Sequence, residues 1–372
     1  MRKRIFVCAG EASGDLHAAE MLGGLRELGA DFEACGVGGP AMEAKGFETL
    51  VSIREFGQAG LVEVLRHLPR LRRLHERIVA EIERRRPDAV VLVDFPDFNL
   101  RLAKRIRPFG LRTVYFVSPQ LWAWRKGRIR TIRETVDRML VLFRFEEEFY
   151  RANGVAATWV GHPIVDSLAD LRSGGARVVP GEAPTVALMP GSRRGEVRSL
   201  LPTFVEAAGR LSRRIPETRF LLIESPVLDR SVYREADSLP GLERVPPDQR
   251  WERIRSCHGA WVASGTATLE LALLGIPMIV GYRLHPVSWA LARLLVDVPH
   301  VALVNLVADE RIVPERIQGE LSPDRLAEEL APLLVEGEAR RRTLEDLGHA
   351  VTALGPPGAG KRAARALLEV LA

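Results

Sequence analysis

The hydrophobic positions fall in short unbroken runs, separated by stretches where apolar residues recur with helical spacing. In the first half the runs are RIFVCAG, FEACGVGG, DAVVLVDF, RTVYFVSP and RMLVLF. The intervening stretches predict helices over about Gly14–Leu28 and Asn99–Arg107, with shorter ones at PAMEAKG and RFEEEFYRANG. Strands that are apolar throughout belong to parallel sheets covered on both faces. Alternation of such strands with helices predicts a doubly wound α/β domain.

A second series follows: TVALMPG, a helix through VRSLLPTFVEAAGRLSRRI, RFLLIES, GAWVASG with the helix TATLELALLG, and PMIVGYR. Residues 172–184, RSGGARVVPGEAP, lack apolar periodicity and read as a linker. The expected architecture is two Rossmann-like doubly wound domains, 1–170 and 171–349, facing across a cleft with ligands at the carboxyl ends of their strands.

One segment breaks the rhythm. In AGLVEVLRHLPRLRRLHERIVAEIERRR, Leu61, Leu65, Leu68, Leu71, Leu74, Ile78 and Ile82 fall near helical spacing, and Arg66, Arg70, Arg72, Arg73 and Arg77 crowd the remainder. Such a helix either packs its stripe into the core or lies on an anionic membrane. The residues alone favour the core.

The chain has 372 residues and a formal net charge of +5, enough length for two cores. The positive charge is mostly arginine and suits an anionic partner: nucleic acid, membrane surface or phosphorylated small molecule. No helix-turn-helix, RNP or zinc-finger signature appears, which argues against nucleic acid. Cys8, Cys35 and Cys257 form no C-x-x-C pair, which speaks against a disulfide framework or a zinc site and fits a reducing cytosol. The first apolar run stops at Gly10-Glu11, short of the about 7–15 residues of a signal-peptide core, and reads as a strand. No run reaches the roughly 18 apolar residues of a membrane span, so the expectation is a soluble or peripheral protein.

Candidate chemistry gathers at strand ends. In MPGSRRGEV, Gly191 and Ser192 lead into a helix whose N-terminal amides attract phosphate, and Arg193 adds a planar charged fork. A tight turn with an N-cap serine and solvated arginines fits the same residues equally. In ASGTATLEL, Gly265 and Thr266 suit phosphate oxygens, and Glu270 a ribose diol, since a carboxylate accepts two O–H donors. A capped helix with a first-turn acid is the plainer reading. The presence of both elements in one half-chain favours a nucleotide.

In the first half, CAGEASGDLHA sets Glu11, Ser13 and Asp15 after the first strand, a poor phosphate cradle but a reasonable sugar-hydroxyl binder. VDFPDFNLR sets Asp94 and Asp97 at another strand end, where a carboxylate can act as general base. Asp97 has an alternative use as an Asx-turn and helix cap, so Asp94 is the favoured base. No metal is expected: the spacing is D-x-x-D, and no paired histidine motif appears. SPQLWAWRKGR carries Trp122, Trp124 and Arg125, aromatic faces that stack on a sugar or cover an acyl chain, or anchor a loop.

AGEASGD, GVGGPAM, GLVEVL, VDFPDFN, VSPQLWAWR, WVGHPIVD, MPGSRRGEV, ASGTATLE, PMIVGYR and LVNLVA, in this order, resemble the lipid-A-disaccharide synthases over residues 5–345. The resemblance implies an inverting, metal-independent glycosyltransferase of the B type that uses no cofactor. Its donor would be UDP-2,3-diacylglucosamine and its acceptor 2,3-diacylglucosamine 1-phosphate, lipid X. It would work in the cytoplasm, peripherally on the inner face of the inner membrane, with oligomeric state left open, a homodimer included. It makes Asp94 the base for the acceptor 6-hydroxyl and Glu11 a second carboxylate orienting a sugar. Gly191, Ser192 and Arg193 would meet the diphosphate, Gly265, Thr266 and Glu270 the rest of UDP, and Asn305 the cleft rim. Trp122, Trp124, Arg125, Leu65, Arg66, Arg70 and Arg73 would meet acyl chains or membrane. Gln58 and Ala59 depart from the larger apolar pair of that pattern. Other UDP-sugar enzymes of two domains, such as UDP-GlcNAc 2-epimerases or soluble glycosyltransferases, share part of it.

A last motif misleads. GPPGAGKR, Gly355–Arg362, almost spells a phosphate-binding P-loop, but Arg362 replaces the metal-holding hydroxyl and a helix, not a strand, precedes it. It reads as a hinge, and the B-type resemblance implies that the last residues, from about 350 to 372, return to the first domain as a helix.

Overall fold

The computed structural model describes residues 2–56, 63–124, 126–173, 182–295 and 298–372; at 63–68, 126, 173, 287, 291–292 and 294–295 only the backbone is described. The chain divides into two compact units, Met1–Asp166 with Gly355–Ala372, and Ser167–Leu354.

The first unit is built on β1 (Lys3–Ala9), β2 (Phe32–Gly38), β3 (Glu48–Ser52), β4 (Ala89–Val93), β5 (Arg112–Phe116), β6 (Arg138–Val141) and β7 (Ala157–Trp159). They form one sheet in the order β3-β2-β1-β4-β5-β6-β7, every pair parallel. The second unit carries β8 (Thr185–Met189), β9 (Arg219–Ile223), β10 (Leu242–Val245), β11 (Gly259–Ala263), β12 (Met278–Tyr282) and β13 (Glu315–Ile317), ordered β10-β9-β8-β11-β12-β13 and also parallel throughout. The central strands β4 and β11 are buried along their whole length, as the unbroken apolar runs required. Strand order reverses between β1 and β4 in one sheet and between β8 and β11 in the other. In an open α/β sheet the crevice for a ligand lies outside the carboxyl ends of the strands at this switch point.

The helices follow the predicted stretches with shifted ends. The first runs Ala12–Glu27, and the one after β4 starts at Pro96 rather than Asn99, because proline's fixed φ and missing N–H suit the first helical position. The arginine-rich segment forms a helix over Glu63–Arg85. Leu74, Ile78 and Ile82 are buried in the first unit's core, with Arg70, Arg72, Arg73 and Arg77 exposed. The core reading therefore holds for its second half. The side chains of Leu65 and Arg66 lie outside the described residues, as do Gln58 and Ala59.

The C-terminal helix, Ala359–Leu371, packs against Ala12–Glu27 in the first unit. Two glycines allow this approach. A Cβ on Gly360 would lie 2.7 Å from the main chain of Glu20, and one on Gly24 2.7 Å from Cα of Lys361. Asp166 caps the helix, accepting from the amides of Gly358 at 2.5 Å and Ala359 at 3.0 Å. Lys361, the lysine of the P-loop-like stretch, pairs with Glu27 at 3.4 Å. A carboxylate of the chain itself thus occupies the anion site that GPPGAGKR suggested.

Candidate active site

Glu11 follows β1 and Asp94 follows β4, so the two flank the switch point of the first sheet. Asp94 and Phe95 both take left-handed backbone, with φ of 47° and 49°. Each such residue outside glycine costs roughly 1–3 kcal/mol and persists where its surroundings enforce it. Here they do. Asp94 N–H donates to the Phe116 carbonyl at 2.9 Å. Its own carbonyl accepts from Tyr115 Oη at 2.6 Å and from Asn99 Nδ2 at 2.8 Å. Asn99, wholly buried, also donates to the carbonyls of Val93 and Cys8. Phe95 stacks on Phe98 and meets Phe56 edge-on, centroids 5.6 Å away in each case. A Cβ on Gly10 would strike the Phe95 ring at 2.5 Å, which is why glycine precedes Glu11.

The turn leaves the Asp94 carboxyl half-buried, and burial, then the negative charge of Glu11, pushes its pKa up to about 6. Glu11 is exposed at the start of the first helix and does not cap it. Asp97 lies in the first turn of its helix, exposed, and pairs with Arg128. It is not the cap of that helix. Asp15 is also reassigned: it is buried and accepts from the amides of Gly39, Ala41 and Met42 at 2.8, 3.0 and 3.2 Å. It ties AGEASGD to GVGGPAM, so its carboxylate already has three main-chain donors.

The tryptophan loop rests on a residue that the sequence reading missed. Glu146, 3% exposed, accepts from Ser118 Oγ at 2.8 Å, Trp122 Nε1 at 3.2 Å and the Phe143 amide at 3.2 Å. Burial pushes its pKa up to about 7. Trp122 also meets Phe145 edge-on at 5.1 Å, so it is an anchor, whereas Trp124 is 42% exposed. Arg125 lies outside the described residues.

In the second unit the glycine loops flank the other switch point: Gly191–Arg193 after β8, Gly265 and Thr266 after β11. Gly191 has φ of 111°, and a Cβ there would meet Glu196 Oε2 at 2.4 Å. The helix begins at Arg194, and Ser192 does not cap it. Glu196 takes that part instead, accepting from the amides of Ser192 and Arg193 at 3.1 and 3.2 Å and from Arg193 Nη1 at 2.9 Å. This is the glutamate half of a capping box, with Arg193 where the motif has serine or threonine. Gly265, φ 146°, opens the helix Thr266–Leu273, and Ser264 Oγ donates to the Val301 carbonyl at 2.7 Å. Glu270 accepts from Arg250 at 2.7 Å. Asn305 is not at a rim. It is wholly buried, exchanging hydrogen bonds with the main chain of Val313 at 2.9 and 3.0 Å and donating to Glu315 at 2.8 Å. A buried amide with both ends satisfied fixes a loop.

The family model described as lipid-A-disaccharide synthetase matches residues 5–370. The chain is 42% identical over 373 residues to the lipid-A-disaccharide synthase of Myxococcus xanthus (strain DK1622), with 99% of this chain and 97% of the relative covered. The chain belongs to the lipid-A-disaccharide synthetase family. Like its relatives it is a glycosyltransferase of lipid A biosynthesis. Solved structures share its fold at low identity. The calicheamicin glycosyltransferase CalG4 has a TM-score of 0.61 at 16% identity, covering 100% of this chain and 98% of that one. The UDP-GlcNAc 2-epimerase of Neisseria meningitidis, bound to UDP-GlcNAc, has 0.63 at 11%, covering 98% and 99%. Those likenesses bear on the fold alone, which is the two-domain Rossmann-like architecture of the B-type glycosyltransferases. No helix among the described residues is long and apolar enough to cross a membrane.

Proposed function

We propose that this lipid-A-disaccharide synthase transfers 2,3-diacylglucosamine from UDP-2,3-diacylglucosamine to the 6-hydroxyl of lipid X. The products are the β-1,6-linked disaccharide 1-phosphate and UDP. The observation that supports the assignment of roles is that Asp94 and Glu11 follow the two strands at the switch point of the first sheet, where burial and the charge of Glu11 raise the Asp94 pKa. Asp94 takes the proton of the 6-hydroxyl as its oxygen attacks the anomeric carbon. The bond to the diphosphate breaks on the opposite face, the configuration inverts, and the electron pair leaves on UDP. A base at a pKa of about 6 is ionised at neutral pH yet basic enough to share the proton in the transition state. Glu11 orients a sugar hydroxyl and keeps Asp94 basic.

The amides of Ser192, Arg193 and Thr266 and the Arg193 guanidinium face the departing diphosphate, with Glu270 on the ribose. The Glu196 carboxylate, which accepts from two of those amides, gives way to phosphate. Preorganised donors of this kind contribute roughly 3–4 kcal/mol each by analogy with oxyanion holes and stand in for a divalent cation. The acyl chains and the anionic lipid surface are met by Trp124 and by the exposed Arg70 and Arg73. The protein works peripherally at the cytoplasmic face of the inner membrane. The test is UDP release from the sugar nucleotide with and without lipid X, in EDTA. Release that needs lipid X and survives EDTA supports the proposal; release indifferent to lipid X, or lost in EDTA and restored by Mg²⁺, contradicts it.

A further inference from the structure

The carboxylate of Glu270 is held from one side. It lies one turn into the helix Thr266–Leu273, its side chain 14% exposed, and Oε2 takes the 2.7 Å bond from Arg250 Nη2. Arg250 opens the short helix Arg250–Ile254, and its guanidinium carbon sits 3.9 Å from the centroid of the Trp251 ring. A planar guanidinium stacked on an aromatic face and bonded to a carboxylate has its orientation set by both partners, which a lysine ammonium cannot reproduce. Burial raises the Glu270 pKa, and the charge opposing this is that of Arg250. One arginine bond leaves most of the roughly four lone-pair sites of a carboxylate for other donors. The vicinal hydroxyls of a ribose are two such donors.

We propose that Arg250, stacked on Trp251, is a positioning residue of the nucleotide site: it fixes the Glu270 carboxylate so that it accepts both hydroxyls of a ribose, which makes the site select ribonucleotides over their deoxy forms. The inference rests on the reading of Glu270 as the ribose ligand.

The experiment is calorimetric titration of the full chain with UDP and with its 2′,3′-dideoxy analogue, at about pH 6 and about pH 8.5. Wild type is expected to prefer UDP by about tenfold or more at both pH values. Arg250→Met is expected to weaken the preference, and more at the lower pH than at the higher, because loss of the opposing positive charge favours the protonated form of Glu270. Arg250→Lys, which keeps the charge but not the stack, is expected to restore the pH behaviour with a weaker preference. Glu270→Gln should abolish the preference at both, with no further effect of Arg250→Met. If Arg250→Met discriminates like wild type at both pH values, the role of Arg250 is overturned while the ribose reading stands. If wild type binds both ligands alike, the ribose reading fails and takes the proposal with it. A variant that no longer binds UDP at either pH while keeping wild-type circular dichroism also counts against the proposal, since positioning of Glu270 alone does not remove the diphosphate contacts.

Discussion

The phenol of Tyr115 donates to the main-chain carbonyl of Asp94 at 2.6 Å, joining the end of β5 to the left-handed turn that follows β4. The two strands pair in parallel, with Tyr115 opposite Leu92. The bond acts on the main chain of Asp94 and not on its carboxyl. Tyr115→Phe should therefore loosen the turn without changing the base. Stability should fall by about 1 kcal/mol in urea denaturation. The rate constant kcat should fall by roughly tenfold from misplacement of the carboxylate, with KM for the sugar nucleotide unchanged. An unchanged kcat would show that the turn does not depend on this bond.

Activity should carry an acidic limb. Asp94 works as the carboxylate, and its pKa is raised to about 6, so the base is lost as pH falls through that value. An ordinary aspartate would keep it down to about 4. Glu11→Gln removes the neighbouring negative charge and leaves the burial. The limb in kcat/KM should move to lower pH without reaching the ordinary aspartate value. A limb that stays in place would remove Glu11 from the electrostatics of the base.

Glu146 should matter to stability in a pH-dependent way. Its folded pKa is raised to about 7 by burial, so the native state holds the proton more tightly than the unfolded chain. That contribution is full below the ordinary glutamate pKa and is lost as pH rises through about 7. Wild type should therefore lose stability relative to Glu146→Gln over that window, followed by denaturation at several pH values. Glu146→Ala leaves the partners Ser118, Trp122 and the Phe143 amide unsatisfied and should cost about 2–4 kcal/mol, with a change in tryptophan emission.

The return of the chain to the first unit rests on glycine at the helix crossing. Gly360→Val puts a branched side chain against the main chain of Glu20 and should cost about 2–3 kcal/mol. Asp166→Ala removes the cap of the same helix and should cost about 1–2 kcal/mol. Faster proteolysis near Gly355 would register both losses; wild-type resistance in Gly360→Val would contradict the packing account.

The sheets and their helices were legible because unbroken apolar runs have few other uses, and Gly191 and Gly265 mark places where a strand end turns sharply. The partners of the site residues were not legible. Asp15, Asn305 and Asp94 look alike as polar residues within recognisable motifs, yet Asp15 caps a distant helix start and Asn305 pins a loop at Val313. Only burial and hydrogen-bond partners separate them from Asp94, whose carboxyl pKa is raised by burial and by the charge of Glu11 against one opposing main-chain bond, that of Phe95. Glu146 and Arg250 escaped because each acts on a residue far along the chain: Trp122 in one case, Glu270 in the other. Glu196 was not legible because Arg193, not serine or threonine, stands three residues before it, so the capping-box pattern is incomplete.

The central claim, that Asp94 deprotonates the acceptor, is tested most directly by single-turnover formation of the disaccharide by wild type and Asp94→Asn. Asparagine keeps the side-chain shape and removes the proton acceptor. The account predicts UDP binding equal to wild type and a chemical step slower by roughly 10²–10⁴-fold. Disaccharide formation by Asp94→Asn at the wild-type rate would contradict it.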